Sequence, residues 1–303
     1  QNLPQNHLGD LSEARGLVCA VDFDAVEMLY KDVPDTLSQL VRTAFVPQGD
    51  RKFIVADFSA IEARVIAWLA GEKWQQDVFA EGKDIYCASA SQMFCVPVEK
   101  HDVNGHLRLR RLRGRAESDG RFGNRPSGER TSRAGFRMAS GESEDRAVLT
   151  VVDRAVMDAV TRKTTTKTHG IIFSARNGML FITLPSGRSL AHVKPKIGTN
   201  RFGGDCITYE GVGGTKKWER LDSYGPKFVE NIAQATSRDI LCYAMQTLRC
   251  CSIVMHINDE VVIETDHRMS LTAVCNQMDK TPLRAIGLQL RADGYETDFY
   301  KKD

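Results

Sequence analysis

The apolar run Phe53-Ile54-Val55 ends on an acid, Asp57, and the chain then passes almost at once into an amphipathic helix. Few folds tolerate that order. Aspartate is a poor strand residue, and its charge beside a buried strand costs energy unless something pairs with it. The acid therefore either caps the helix or holds a cation. Lys52 to Ala56 is predicted as a buried strand, and Ser59 to Ala70 as a helix closed by Gly71. Ile61, Val65, Ile66 and Leu69 give that helix its core side.

A second placement looks alike. Ser252 to Glu264 predicts two β-branched strands around Asn258-Asp259, a tight hairpin that sets Asp259 and Glu260 at its bend. If the two strands are neighbours, their carboxylates converge at one end of a sheet. Carboxylate oxygens suit Mg²⁺, which takes one or two protein carboxylates plus substrate phosphates. A pair of such ions about 3.5–4 Å apart stabilises both oxygens of an in-line phosphoryl displacement. A blander reading stands beside this one. Ser59-Ala60-Ile61-Glu62 fits a capping box, and Asp259 could serve a turn through its tolerance of left-handed backbone.

The rest of the chain supplies further helices and strands. Helices are predicted over Ala25 to Tyr30, Pro34 to Ala44 with the proline in the first turn, and Ile85 to Phe94 before Pro97. Another covers Val148 to Val160, and a long one, Lys227 to Leu248, follows Gly225-Pro226. Gly178 to Leu184 and Ser189 to Val193 flank Pro185-Ser186-Gly187-Arg188, a turn between paired strands. The fold class is α+β, an antiparallel sheet with packed helices.

Composition excludes rather than selects. A net charge of +2 neither favours nor disfavours nucleic acid as a partner. The eight cysteines show no CxxC spacing, so reduced thiols in a cytosolic chain are expected. No run of about 18 apolar residues predicts a membrane span, and no signal peptide is apparent. The opening on Gln1 rather than Met suggests a fragment of a longer protein.

One segment breaks the texture. From Asn104 to Arg146 the chain holds 11 arginines and no lysine, with Phe122 and Phe136 as its only aromatics. Such a segment cannot bury enough apolar surface to offset its ordering entropy, and alone it should be disordered. Its bias is also that of a GC-rich gene read in the wrong frame, with the frame restored near residue 147. The functional alternative is an arginine-rich nucleic-acid arm.

The stretch DFSAIEARVIAWLAGE resembles the first catalytic motif of family A DNA polymerases, through Asp57, Phe58, Ser59, Ile61, Glu62 and Arg64. MHINDEVVIE resembles the third motif, with its acids at the hairpin bend. Gln1-Asn2-Leu3-Pro4, Arg42-Thr43-Ala44-Phe45, the helix start Glu230 to Gln234 and the closing ADGYETDFYKKD are similar to further family segments, nearest to phage-type members. The resemblance covers most of residues 1–100 and 150–303.

It implies a palm in two parts, 1–72 and 206–303, around a helical fingers-like region, 73–205, whose residues 101–150 are the anomalous part. It implies template-directed addition of deoxynucleotides to a primer 3′-hydroxyl with two Mg²⁺ ions. Asp57 and Asp259 would bind metal, with Glu260 as a supporting acid. Phe58 and Glu62 would line the nucleotide, Glu62 as a steric gate against the ribose 2′-hydroxyl. Asn2, Arg42, Gln234 and His256 would approach DNA. The implied partners are primer–template DNA and deoxynucleoside triphosphates. No membrane is involved, and the setting would be the cytoplasm of a bacterial or phage-infected cell.

Two departures qualify the resemblance. The family's second motif needs Arg, Lys and an aromatic along a fingers helix, yet no lysine occurs between Lys100 and Lys163. Losing one preorganised donor typically costs about 100- to 1000-fold, so the whole helix should cost more. Asn258 also stands where a histidine is usual, although asparagine can still bond a primer terminus. Thumb and proofreading domains are not recognisable, so weak, salt-sensitive DNA binding is expected. An inactive DNA-binding remnant is therefore the competing reading. A single-subunit RNA polymerase is a third, and Glu62 argues against it.

Overall fold

The computed structural model describes residues 6–94, 98, 144–200 and 203–301. Most of the arginine-rich segment, with the frameshift and nucleic-acid-arm expectations that rest on it, lies outside the described residues, as does Asn2. By its contacts the chain divides into two compact units, one of residues 1–59, 241–280 and 291–303, the other of 60–240 and 281–290.

The first unit is built on β1, Lys52–Phe58, whose residues are almost all buried. β1 is an interior strand of a four-stranded antiparallel sheet of order β10-β1-β9-β8. The partners are β8 (Ser252–Ile257), β9 (Glu260–Thr265) and β10 (Ala292–Thr297). One face of this sheet buries Phe53, Val55, Val262 and Tyr300, with Met255, Ile257 and Tyr295 packed at the margin. Gly294 lets β10 approach β1, since a Cβ there would stand 2.2 Å from the Val55 carbonyl oxygen.

Three helices precede the sheet: α1 (Leu11–Cys19), α2 (Phe23–Tyr30) and α3 (Val33–Leu40), with a 3₁₀ turn over Val41–Ala44. Each α-helix has an aspartate N-cap, Asp10, Asp22 and Asp32, whose side chain accepts from a backbone N–H of the first turn. The predicted Pro34–Ala44 helix thus tightens into 3₁₀ geometry for its last turn, and α1 is an addition to the predicted elements.

In the second unit α4 (Ile61–Ala70) ends on left-handed Gly71, as expected. α5 (Lys73–Ala80) and α6 (Ile85–Phe94) follow. α7 spans Glu144–Arg162, four residues earlier than the predicted start. A six-stranded antiparallel sheet then runs in chain order from β2 to β7. Its strands are β2 (Thr165–Thr168), β3 (Ile171–Arg176), β4 (Met179–Thr183), β5 (Ser189–Thr199), β6 (Asp205–Val212) and β7 (Trp218–Ser223). Only the β4–β5 hairpin among them is predicted from sequence.

Several of the unpredicted strands are polar and exposed, and they exist because each pairs with the one before. α7 presents Val148, Val152, Val156 and Ala159 at helical spacing to Ile171, Phe173, Leu180 and Ile182 of this sheet. α8, Gly225–Thr247, adds Phe228, Val229 and Ile232 to the same core. The β4–β5 turn is fastened to α8: Ser186 donates to Asp239 at 2.6 Å, as does Arg188 Nε. α9 (Leu271–Met278), in the first unit, packs on β1 and β10. Among the described residues no helix is long and apolar enough to cross a membrane.

Candidate active site

The predicted meeting of acids occurs within the first unit. Asp57 lies directly opposite Glu260 across β1 and β9. On its other side Asp57 is paired with Asp293 of β10. Three acidic residues therefore stand abreast at one end of the sheet, on the same face. Asp259 occupies the adjoining β8–β9 turn, and its carbonyl accepts from the Phe58 amide at 3.4 Å. Side chains directly opposite in an antiparallel pair have Cβ atoms about 4.5–5.5 Å apart, and like charges there repel.

The surroundings of this row are graded. Glu260 is buried, 4% exposed, while Asp293 is exposed and paired with Arg291 at 3.3 Å. Tyr300, wholly buried, neighbours Glu260 and Arg42. Burial, and then the neighbouring Glu260 charge, raise its hydroxyl pKa well above the usual tyrosine value, with Arg42 opposing. Its backbone N–H is anchored on the Phe45 carbonyl at 2.9 Å. Arg42, expected near a template strand, is 8% exposed, and its guanidinium serves this interior neighbourhood. Asp293 and Tyr300 are additions to the predicted site residues, and both lie in the ADGYETDFYKKD segment that marks the closing strand.

The backbone decides one of the open alternatives. In the two-residue turn between β8 and β9 only Asn258 has positive φ, at 53°. A positive φ at the first central residue is a requirement of the tight two-residue hairpin turns. Asp259 is not there for left-handed tolerance. Asn258 fills that need, which gives a conformational reason for asparagine at this position.

The N-cap of α4 is Ala60, itself left-handed at φ 52°, with no side-chain cap hydrogen bond. Glu62 sits exposed in the first turn, where a carboxylate is favoured by the helix dipole. It is close enough to Tyr86 to help raise that hydroxyl's pKa, after burial and Asp84. Phe58 is 2% exposed, its ring in the core. Gln234 on α8 and His256 on β8 are both exposed.

Among the described residues no three His, Cys, Asp or Glu side chains converge into a ready-made metal cage. What the sheet end offers is hard carboxylate oxygen from Asp57 and the adjacent Asp259. That donor set fits Mg²⁺, which is held by one or two carboxylates and completes its shell with water and phosphate.

The sequence model of DNA polymerase family A matches residues 31–111, which include the whole of β1 and α4. The DNA polymerase of Bacillus phage SP02 is 43% identical over 322 aligned positions, covering 100% of this chain. Residues 31–111 thus resemble DNA polymerase family A, and the whole chain is similar to a phage DNA polymerase. The chain spans 49% of the length of that phage relative. The thermostable DNA polymerase I of Thermus thermophilus is 46% identical over 66 residues, 22% of this chain and 8% of its own. Among solved structures, the POL domain of Pol1 from M. smegmatis, in complex with DNA primer–template and dNTP, aligns with a TM-score of 0.53. At 17% identity, over 86% of this chain and 42% of that one, this likeness concerns the fold.

Proposed function

We propose that this chain is the catalytic part of a family A DNA-directed DNA polymerase, adding deoxynucleotides to a primer 3′-hydroxyl. The observation that carries the reading is the register pairing of Asp57 with Glu260, which sets the acids of two separate sequence motifs at one sheet end. Asp57 and Asp259 would hold two Mg²⁺ ions, with Glu260 as the buried supporting acid. When bound, such ions neutralise triphosphate charge and stabilise the attacking and leaving oxygens of an in-line displacement. The protein's own contribution is position and charge.

By the motif resemblance, Glu62 would exclude a ribose 2′-hydroxyl. Phe58 would support the nucleotide through its backbone, since its ring is buried. Exposed Gln234 and His256 would meet the primer–template duplex, and Arg42 would act from its buried place beside Tyr300. Residues 1–72 and 206–303 would form the palm, with 73–205 as the fingers-like region. The working environment would be the cytoplasm of a bacterial or phage-infected cell.

A second reading, an inactive DNA-binding remnant, draws on a specific observation. The family match ends at residue 111, inside the arginine-rich run that holds no lysine for a triphosphate clamp. Primer extension with Mg²⁺, offering deoxy- and ribonucleotides in parallel, separates the readings. Deoxynucleotide extension, with ribonucleotides admitted by Glu62→Ala, supports the polymerase. Duplex binding without any extension supports the remnant, and extension with ribonucleotides alone overturns both.

A further inference from the structure

The six-stranded sheet of the second unit takes no part in the chemistry proposed above, yet it concentrates positive charge. From Thr165 to Ser223 the chain carries nine Lys and Arg against four Asp and Glu, while the remainder holds 32 against 35. The surplus is thus local to this sheet, and so is the potential it creates.

The strand register sorts these residues by face. Leu180, Ile182, His192 and Ile207 are buried against the helices. The opposite face carries the cross-strand row Arg176–Met179–Val193–Glu210–Arg220 and, beside it, Lys196 opposite Thr208. At the tip of the β6–β7 hairpin, Lys216 and Lys217 stand next to Trp218, which is 61% exposed. Glu210 takes up part of the charge, pairing with Lys194 at 2.9 Å and Arg220 at 3.2 Å and accepting from the Trp218 indole N–H at 3.4 Å. Lys196, Lys216 and Lys217 are exposed and form no ion pair among the described residues. Arg176 lies over the Phe181 ring, 5.0 Å from its centroid.

An exposed indole among unpaired cations on an open sheet suits a flexible polyanion that also offers flat rings. Single-stranded nucleic acid has both, and duplex DNA hides its ring faces. An acidic protein segment would use the charge and leave the indole without a partner.

We propose that the outer face of the β5–β7 sheet binds single-stranded nucleic acid, with Lys196, Lys216 and Lys217 on phosphates and Trp218 stacked on a base. It rests on the polymerase reading only for the source of the strand. Binding itself needs neither metal nor catalysis.

The test titrates the full chain into a labelled oligodeoxythymidylate at several salt concentrations, without metal. Lys196→Glu/Lys217→Glu and Trp218→Ala are compared with Lys83→Glu/Lys280→Glu, a charge-matched change elsewhere. Circular dichroism checks that each variant folds. The double reversal should weaken binding at least about tenfold and flatten the log–log salt slope by ~1.4, the share of two phosphates on a single strand. Trp218→Ala should cost about tenfold, the loss of one base–aromatic stack.

Equal effects from the control pair would overturn the proposal, as would displacement of the oligonucleotide by polyglutamate at equal concentration. Oligonucleotide binding of the predicted pattern with no primer extension upholds this face and counts against the polymerase reading. Extension with binding unaltered in the sheet variants does the reverse.

Discussion

Asp57 stands directly opposite Glu260 in the β1–β9 ladder, two acids at a position where facing like charges destabilise a sheet. With Asp293 on its other side, Asp57 is flanked by acids on both neighbouring strands. Such a placement opposes stability and fits function.

The first prediction follows from that conflict. Asp57→Asn removes one charge from the row, which relieves like-charge repulsion worth up to about 1 kcal/mol. Activity should fall at least about 100-fold. Thermal melts and primer extension on the same preparation check both. A variant less stable than wild type would mean that the charge is structurally supported.

A second prediction concerns the contact that brings β10 alongside. Gly294→Ala would press a methyl group onto the Val55 carbonyl and the Ala56 Cα. Overpacking of this kind typically costs about 1–3 kcal/mol. Because β10 carries Asp293, chemical denaturation should show the loss together with reduced activity. Wild-type stability in Gly294→Ala would show that the strand can shift freely.

The left-handed Ala60 between β1 and α4 gives a third. At φ 52° an alanine bears a steric penalty that glycine escapes, offset by glycine's greater entropy when unfolded. Ala60→Gly should therefore lie within about 0.5 kcal/mol of wild type, whereas β-branched Ala60→Val should cost about 1–2 kcal/mol. Denaturant midpoints compare the two. A costly Ala60→Gly with a harmless Ala60→Val would contradict the geometry.

His192 supplies a pH dependence. Its ring is buried between Tyr209, 4.6 Å away, and Phe228, 5.7 Å away, edge to face with both. Burial pulls its pKa below the ordinary histidine value of 6.5, opposed by a backbone hydrogen bond at Leu180. The folded state therefore binds this proton less readily than the unfolded chain, and its contribution is complete above about pH 6.5. Stability should decline as pH falls below that value, toward the folded-state pKa. His192→Phe should flatten the slope of melting temperature between about pH 6.5 and 5, and an unchanged slope would assign it to other groups.

These placements are unequally legible in sequence. β1 can be read because five consecutive buried positions leave an apolar run, and the β8–β9 hairpin because β-branched strands flank Asn258. Helix α1 carries a readable signal too, Asp10 three residues before Glu13, whose N–H it accepts. β10 is harder to read as a site element. Ala-Asp-Gly-Tyr-Glu-Thr has little apolar content, and it becomes a strand only by pairing with β1. The place of Asp293 is invisible until that pairing is known. β2 and β7 are likewise exposed along most of their length, so no hydrophobic period marks them. Arg42 shows the opposite problem, since a lone arginine in sequence reads as surface and only the fold puts it beside buried Tyr300.

Whether the row of acids at the end of β1 performs nucleotidyl transfer is decided by single-nucleotide primer extension in Mg²⁺. Wild-type chain, Asp57→Ala and Asp259→Ala are assayed on one labelled primer–template, with duplex binding measured alongside. The wild type should extend the primer, both variants should fail to, and all three should keep their affinity for the duplex. Extension that persists at the wild-type rate in Asp57→Ala would place the chemistry elsewhere in the chain.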